Sequence, residues 1–373
     1  MKKFVQIYTG GVSGRNISIS QIEKKLDSME GHKPDGIIVG WSLEKQIYSY
    51  LRDYTNKRGM ELYLWFQVLS EFKSLGDFRE IETLGGRRLR SAVFDGDEEF
   101  SFYCPSHPDT LHHLTNIYET YFSDIAFDGV LLDRIRFPSL AVDGNALFAC
   151  SCPFCMKKLE KRGIERKEIE KIHMQVKEKD SLLCIKEYKN GNYIFDSPEL
   201  EAYLNARTEL ITDIVKALAG SFRTKGMKVG LDLFAPFLSL FVGQDYAALS
   251  KSVDFIKPML YRCTYTPAGM EYELEGMAGE MADRMKQIIG MEDGRLTDFM
   301  EKELETARKL SSCKIYAGME IHTVKELPFV SAQSIRDGVE RAERSGCEGR
   351  VASWNILEAS KENLLAFMEG EGR

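Results

Sequence analysis

A chain of 373 residues with 43% hydrophobic and 29% charged side chains has the composition of an ordinary globular protein and can bury a large core. Its 50 Lys and Arg against 57 Asp and Glu leave a net charge of −7 with no strongly basic segment, which argues against nucleic acid or an anionic membrane as partner. The start, Met1-Lys2-Lys3-Phe4-Val5-Gln6-Ile7-Tyr8, carries only a short apolar run broken by Gln6, so neither a signal peptide nor a membrane span is expected, and the cytoplasm is the expected compartment. In chain order, apolar strand-like runs alternate with amphipathic helical stretches, the pattern of a parallel sheet with crossover helices. Strands are expected at 4–9, 36–41, 61–68, 128–133, 228–235, 254–261, 313–320 and 349–354. Helical periodicity fills the gaps at 22–29, 43–54, 111–125, 200–218, 246–253, 270–289, 299–310 and 335–344, the helix from 200 being marked by Asp196 and Glu199 in capping-box spacing.

Eight such units closing on themselves make a (β/α)8 TIM barrel, expected here as a single domain over 1–373. An open doubly wound sheet is the alternative, but no strand runs into a G-x-G-x-x-G turn, so nothing supports dinucleotide binding. Two insertions depart from an even barrel. Residues 70–108, after the third strand, contain Gly85-Gly86, Gly96 and Phe100-Ser101-Phe102-Tyr103-Cys104-Pro105, which suggests a hairpin-like excursion. Residues 139–196, after the fourth strand, hold a cysteine cluster and a charged helical region from Met156 to about Lys179. Both are loops that follow strands, so both are expected on the carboxyl-terminal face of the barrel, side by side.

The fourth strand is the most informative. Val130, Leu131 and Leu132 are an unbroken apolar run, as in a strand covered on both faces, and Asp133, Arg134 and Arg136 follow with no turn residue between. A carboxylate and two guanidinium groups therefore stand at the strand's carboxyl end, where sites on this fold are built; the simpler reading is a structural ion pair. Strand alternation sends Arg134 away from the face that carries Asp133 and leaves Arg136 free to turn with the loop.

Cys150-Ser151-Cys152-Pro153-Phe154-Cys155 places three thiols within six residues, a C-x-C-x2-C pattern able to wrap one tetrahedral ion. Cys104, in the loop after the neighbouring strand, is the expected fourth ligand, with His107 as the alternative. Four thiolates make a closed structural zinc site that pins the two long loops; an iron–sulfur cluster is the other reading that the spacing leaves open. Cys184, Cys263, Cys313 and Cys347 are dispersed and read as core residues, all eight thiols being reduced in the expected compartment.

This arrangement of Cys104 with Cys150, Cys152 and Cys155 resembles the four-cysteine zinc cluster of family 42 β-galactosidases. The phrase from Asp128 to Pro138, DGVLLDRIRFP, likewise resembles the fourth-strand motif of uncharacterised glycoside-hydrolase-like barrels. The likeness covers about residues 100–160. Family 42 enzymes carry Asn-Glu at the end of the fourth strand where this chain has Leu132-Asp133, so what the resemblance implies is the scaffold and a carbohydrate substrate.

Glycoside hydrolysis needs two carboxyl groups flanking one bond. Three candidates end strands: Asp133 on the fourth, Asp232 on the fifth, and Glu320 on the seventh. The resemblance implies the ends of strands four and seven, with Asp133 as acid/base and Glu320 as nucleophile, or the reverse. Asp232 then reads as a hydrogen-bonded supporting group or as the replacement partner for Asp133. Trp41, Tyr261 with Arg262, His322, and Trp354 with Asn355 stand at other strand ends as sugar-binding candidates, and Arg134, Arg136 and Arg262 could orient an acidic sugar. Two rivals follow: a non-catalytic carbohydrate-binding barrel, and a barrel hydrolase or lyase holding a small acidic substrate by those arginines.

Overall fold

The computed structural model describes residues 1–29, 31–89, 101–178, 184–291, 296–324 and 327–369. Ten strands are present among them: β1 Lys2–Tyr8, β2 Gly36–Gly40, β3 Glu61–Gln67, β4 Gly129–Asp133, β5 Ile185–Lys189, β6 Asn192–Phe195, β7 Lys228–Phe234, β8 Phe255–Met259, β9 Lys314–Glu320 and β10 Gly349–Ser353. Eight close into a parallel barrel in the order β1-β2-β3-β4-β7-β8-β9-β10, while β5 and β6 form a separate hairpin. Seven of the eight barrel strands fall within the segments expected from their apolar runs, and β1 starts two residues earlier, at Lys2.

Alternation along the strands divides their side chains between two cores. Val5, Ile7, Val39, Leu64, Leu132 and Leu231 face the surrounding helices. Phe4, Tyr63, Leu131, Phe255, Tyr316 and Val351 fill the barrel interior. Phe4 and Tyr63 meet edge to face at 5.3 Å and Phe255 stacks on Tyr316 at 4.5 Å, so four rings plug the amino-terminal half. Neighbouring strands make room with glycine: a Cβ on Gly36 would lie 2.3 Å from the Phe4 ring and one on Gly230 2.1 Å from Phe255. The bottom of the barrel is thus sealed, and polar side chains are left for the upper levels.

Both insertions emerge on the carboxyl-terminal side and touch, Ser151 N donating to Glu82 O at 2.7 Å. The excursion after β3 has antiparallel bridges between Glu80 and Tyr103 and between Glu82 and Arg88; Gly96 and Phe100 lie outside the described residues, as does Lys179. The charged region after β4 forms helices Pro153–Glu160 and Arg166–Glu178. The β5–β6 hairpin turns through Asn190 and Gly191, both at positive φ as a tight two-residue turn requires.

Helix ends shift by a few residues from the sequence reading throughout, and two of the differences have a local cause. The long helix Pro198–Thr224 is capped by Ser197, whose Oγ accepts from Leu200 N at 3.2 Å, because Pro198 fixes the first helical position one residue later than expected. Asp196 instead pairs with Lys186 at 2.9 Å. The expected helix 270–289 breaks at Gly279 into Met270–Ala278 and Ala282–Ile289. No described helix is long and apolar enough to cross a membrane.

Candidate active site at the carboxyl end of the barrel

The register brings three ionisable groups to adjoining strands. Gln67 on β3 is level with Asp133 on β4, and Asp232 on β7 is level with Lys257 on β8. Leu132 pairs with Leu231, so one further step sets Asp133 beside Asp232. Asp133 is half-buried and accepts from Trp65 Nε1 at 2.9 Å, Gln67 Nε2 at 3.3 Å and the Arg134 backbone N–H at 2.5 Å. Asp232 is only 2% exposed. Its Oδ2 accepts from Lys257 Nζ at 2.6 Å, and its Oδ1 has no partner among the described residues. Lys257 also reaches the Tyr261 hydroxyl at 3.1 Å.

These surroundings set the two partners apart. Burial pushes the Asp232 carboxyl up to about 7; Lys257 pulls against this, and the neighbouring Asp133 adds to it. Burial opposes the charge on Lys257 as well, but Asp232 and then Tyr261 hold its pKa above the ordinary value. Lys257 therefore stays an ammonium, while Asp232 keeps a proton available near neutrality.

Glu320 has a different environment. Its Oε1 accepts from the backbone N–H of Arg262 at 2.7 Å and of Cys263 at 2.9 Å; its Oε2 accepts from Thr264 N at 3.2 Å and Thr264 Oγ1 at 2.8 Å. Four donors from the loop after β8 thus close over both oxygens of a side chain that is 2% exposed. That is the bonding of a carboxylate holding a loop in place, and it leaves neither oxygen facing the mouth without a partner.

Aromatic side chains pack around the remaining strand ends, Trp41, Tyr261 and His322 buried and Trp354 half-buried. Trp41 packs on Tyr8 at 4.7 Å and on Trp65 at 4.6 Å, with its Nε1 unpartnered among the described residues. Trp354 lies 4.6 Å from His322 and 6.4 Å from Tyr261. Both ring nitrogens of His322 are buried without a partner there, and burial lowers its pKa while Glu320 opposes the change. Asn355 acts mainly on the backbone, its Oδ1 accepting from Tyr8 N at 3.2 Å and Leu357 N at 3.3 Å.

The three arginines are each engaged within the protein. Arg134, at φ 51°, forms a buried ion pair with Glu71, donates to Ser70 Oγ at 2.8 Å and lies 5.2 Å over the Trp41 ring. Arg136 does not turn freely with its loop: it is held between Phe102 at 4.8 Å and Phe234 at 4.5 Å and donates to Phe137 O at 3.1 Å. Burial lowers it to about 10 against the pull of Glu273. Arg262 donates to Ser334 O at 2.7 Å and Thr297 Oγ1 at 3.2 Å.

Beyond the mouth, Cys104, Cys150, Cys152 and Cys155 are all buried, with every Sγ within 4.8 Å of the others, and can together hold a metal ion. Cys104 Sγ lies 3.4 Å from that of Cys152 and 3.5 Å from that of Cys155. Thiolates about 2.3 Å from a tetrahedral ion stand about 3.8 Å apart, close to these spacings and far from a disulfide of about 2.05 Å. Bonds with Cys104 and the other thiols lower Cys152 and raise Cys150 and Cys155. His107 is occupied elsewhere, accepting from Asp109 N at 3.3 Å to cap the helix Pro108–Tyr121. Of the other thiols, Cys184 and Cys347 are buried as expected, while Cys263 and Cys313 are only half-buried.

Trp65, Gln67 and Lys257 were not singled out from sequence. Lys257 had a signal: a lysine inside the apolar run Phe255-Ile256-Lys257-Pro258-Met259 must find a buried partner.

The chain is similar in fold to solved glycoside hydrolases. Over 100% of both chains it matches the glycoside hydrolase domain of PgaB (BpsB) from Bordetella bronchiseptica, at 14% identity and a TM-score of 0.61. A class V chitinase from Pseudomonas fluorescens Pf-5 matches at 12% identity and 0.52, with 98% of each chain covered. The spore cortex-lytic enzyme SleL of Bacillus megaterium QM B1551 matches at 9% and 0.50, over 98% of this chain and 73% of that one. At these identities the likeness is one of fold. No protein-family model and no curated protein matches the sequence.

Proposed function

We propose that the chain is a single-domain glycoside hydrolase in which Asp133 and Asp232 carry the reaction. The observation that carries this reading is the pair itself: two carboxyl groups on adjoining strands at the site-bearing end of the barrel, one half-exposed and held by three donors, the other buried and raised to about 7. Asp232 donates its proton through Oδ1 to the glycosidic oxygen as the bond to the anomeric carbon breaks. Asp133 attacks that carbon from the other side, forming a glycosyl ester. Water then cleaves the ester, giving up its proton to the Asp232 carboxylate. Retention is the expected outcome, the one that goes with a carboxyl separation of about 5–5.5 Å rather than the roughly 6.5–9.5 Å of inverting enzymes. Lys257 supports the Asp232 carboxylate once its proton has left.

Trp354, half-buried and backed by the buried His322 and Tyr261, supplies the platform on which a sugar stacks, and Glu320 shapes the loop beside it. The engagement of Arg134, Arg136 and Arg262 with internal partners weighs against an acid-holding pocket built from them. Zinc is the metal we assign to the four cysteines, as a closed structural site that joins the two insertions and takes no part in the reaction; reduced thiols accord with a cytoplasmic location. The reading is tested by assaying the purified protein on chromogenic glycosides and oligosaccharides. Hydrolysis of at least one, with the released sugar first appearing in the substrate's anomeric configuration, is expected. Sugar binding without turnover across the panel would favour the non-catalytic barrel.

A further inference from the structure

Two strained residues meet beside Asp133. Five residues other than glycine have positive φ among the described ones, and two of them, Glu71 at 75° and Arg134 at 51°, are buried and form an ion pair with each other. A residue with a Cβ occupies this left-handed region at a cost, so its surroundings must hold it there. The backbone supplies one side of the hold. Val68 N donates to Asp133 O at 3.0 Å and Leu69 N to Arg134 O at 3.3 Å, while Leu69 O accepts from Tyr103 N at 2.9 Å. Ser70 and Glu71 follow directly, and the Arg134 guanidinium donates to Ser70 Oγ at 2.8 Å and pairs with Glu71. It also lies 5.2 Å over Trp41, a member of the interior cluster, so the turn has carried it off the helix-facing side to which strand alternation assigns residue 134.

The turn decides what the Arg134 N–H does. In a planar trans peptide the N–H points opposite to the C=O. Asp133 O faces β3 through Val68, so the Arg134 N–H faces β7. A strand that ran on would spend that N–H on the β7 ladder. Pairing of β4 with β7 instead ends at Leu132 and Leu231, and the N–H donates to Asp133 Oδ1 at 2.5 Å. Oδ2 takes its bonds from β3, through Trp65 and Gln67. Held from opposite sides, the two oxygens fix the plane of the carboxylate.

We infer that Glu71 is a positioning residue: by pairing with Arg134 it holds the left-handed turn that keeps the Arg134 N–H on Asp133, and so orients that carboxylate for attack. The inference rests on the reading of Asp133 as the attacking group, and the test separates the two. The double variants Glu71→Gln/Arg134→Gly and Glu71→Gln/Arg134→Ala lose the same ion pair, and neither leaves one member of it charged and alone. Glycine keeps the turn without a partner, whereas alanine does not. On a substrate the parent cleaves, the glycine variant should have a kcat roughly tenfold above that of the alanine variant, the scale of the left-handed penalty, with KM alike in the two. A contact that only stabilised the fold would give the opposite order or none, since glycine is the more costly residue wherever its conformational freedom is not needed. Carbon-13 NMR of the aspartate-labelled full chain needs no turnover: the Asp133 carboxyl resonance, identified by its loss in Asp133→Asn, should lie nearer its parental position in the glycine variant than in the alanine one. Equal kcat values overturn the inference while leaving the hydrolase reading in place, and coincident carboxyl resonances overturn it whether or not the protein is active. Resonances ordered as expected in a protein that hydrolyses nothing would keep the hold on Asp133 and reject the hydrolase.

Discussion

Replacing Glu320 by Gln separates two roles for a carboxylate at the end of a barrel strand. In the structure its two oxygens receive four hydrogen bonds, three from backbone N–H groups of residues 262–264 and one from the Thr264 hydroxyl. Gln keeps one acceptor oxygen, able to serve Arg262 and Cys263, and turns an NH2 group toward Thr264. The hydroxyl can rotate to accept, but the Thr264 N–H then faces another donor and stays buried without a partner, at about 1–3 kcal/mol. The two surviving bonds lose their charge assistance, so a total of about 2–4 kcal/mol is reasonable. With unfolding entropy of about 2.1 cal/mol/K per residue over 373 residues, that shifts the melting temperature by roughly 3–5 °C. Calorimetry and turnover, measured together below the transition, give the test. Glu320→Gln should melt earlier and keep substantial turnover, whereas Asp133→Asn, at a half-exposed position where water can take up the bonds lost from Trp65 and Gln67, should melt less early than Glu320→Gln and lose turnover. A Glu320→Gln protein with parental melting temperature and no turnover would refute this reasoning and return Glu320 to the chemistry.

Protein purified without chelator should carry about one zinc per chain by elemental analysis, and Cys152→Ser should lose the metal and lower the melting temperature more than Cys347→Ser does; colourless protein with no metal, or equal effects of the two variants, argues for ordinary buried thiols. Glu303 lies buried beneath the β5–β6 hairpin, accepting from Tyr188 Oη at 3.0 Å and Phe237 N at 2.8 Å, and burial raises it to about 7. Between the ordinary glutamate value of about 4.3 and that of about 7, the folded chain holds a proton that the unfolded chain has released, so stability falls as pH rises through this window, by about 4 kcal/mol in all. Denaturant titrations at pH 5 and pH 8 should show Glu303→Gln flattening this loss, and an unchanged pH dependence would contradict it. Lys257→Met removes the partner of a buried carboxyl, and about 3–5 kcal/mol of stability should go with it at pH 8, less at pH 5, where Asp232 holds its proton; equal losses at the two pH values would show that the pair is not what Lys257 contributes.

The barrel was legible because a strand buried on both faces needs a continuous apolar run, and each run from Phe4 to Ser353 stands out from the amphipathic helices beside it. The β5–β6 hairpin has no counterpart in the sequence reading, although its turn is written in Asn190-Gly191; Lys186, Glu187 and Lys189 leave β5 too few apolar positions to mark it as a strand. The cysteine group was legible because neighbouring parallel strands bring their loops together. Strand-end carboxyl groups could be named from position, but their roles depended on distant partners. Nothing local to Glu320 shows that the backbone of 262–264 folds over it, and nothing local to Asp232 shows that Lys257, 25 residues on, meets it in register. The partners of the arginines could not be read from the sequence for the same reason: Glu71, Phe102 and Ser334, which engage them, come from other loops and helices.

The central claim is that Asp133 and Asp232 act together, and the pH dependence of turnover in the parent and in both Asn variants tests it most directly. On a substrate the parent cleaves, kcat/KM should fall as pH rises through about 7, because the Asp232 proton that the leaving oxygen needs is lost there. Asp133→Asn should lower turnover by several orders of magnitude at every pH. Asp232→Asn should abolish the alkaline limb, and an aryl leaving group that needs no proton should restore much of its rate. An alkaline limb that persists in Asp232→Asn, or a parental rate in Asp133→Asn, would contradict the assignment.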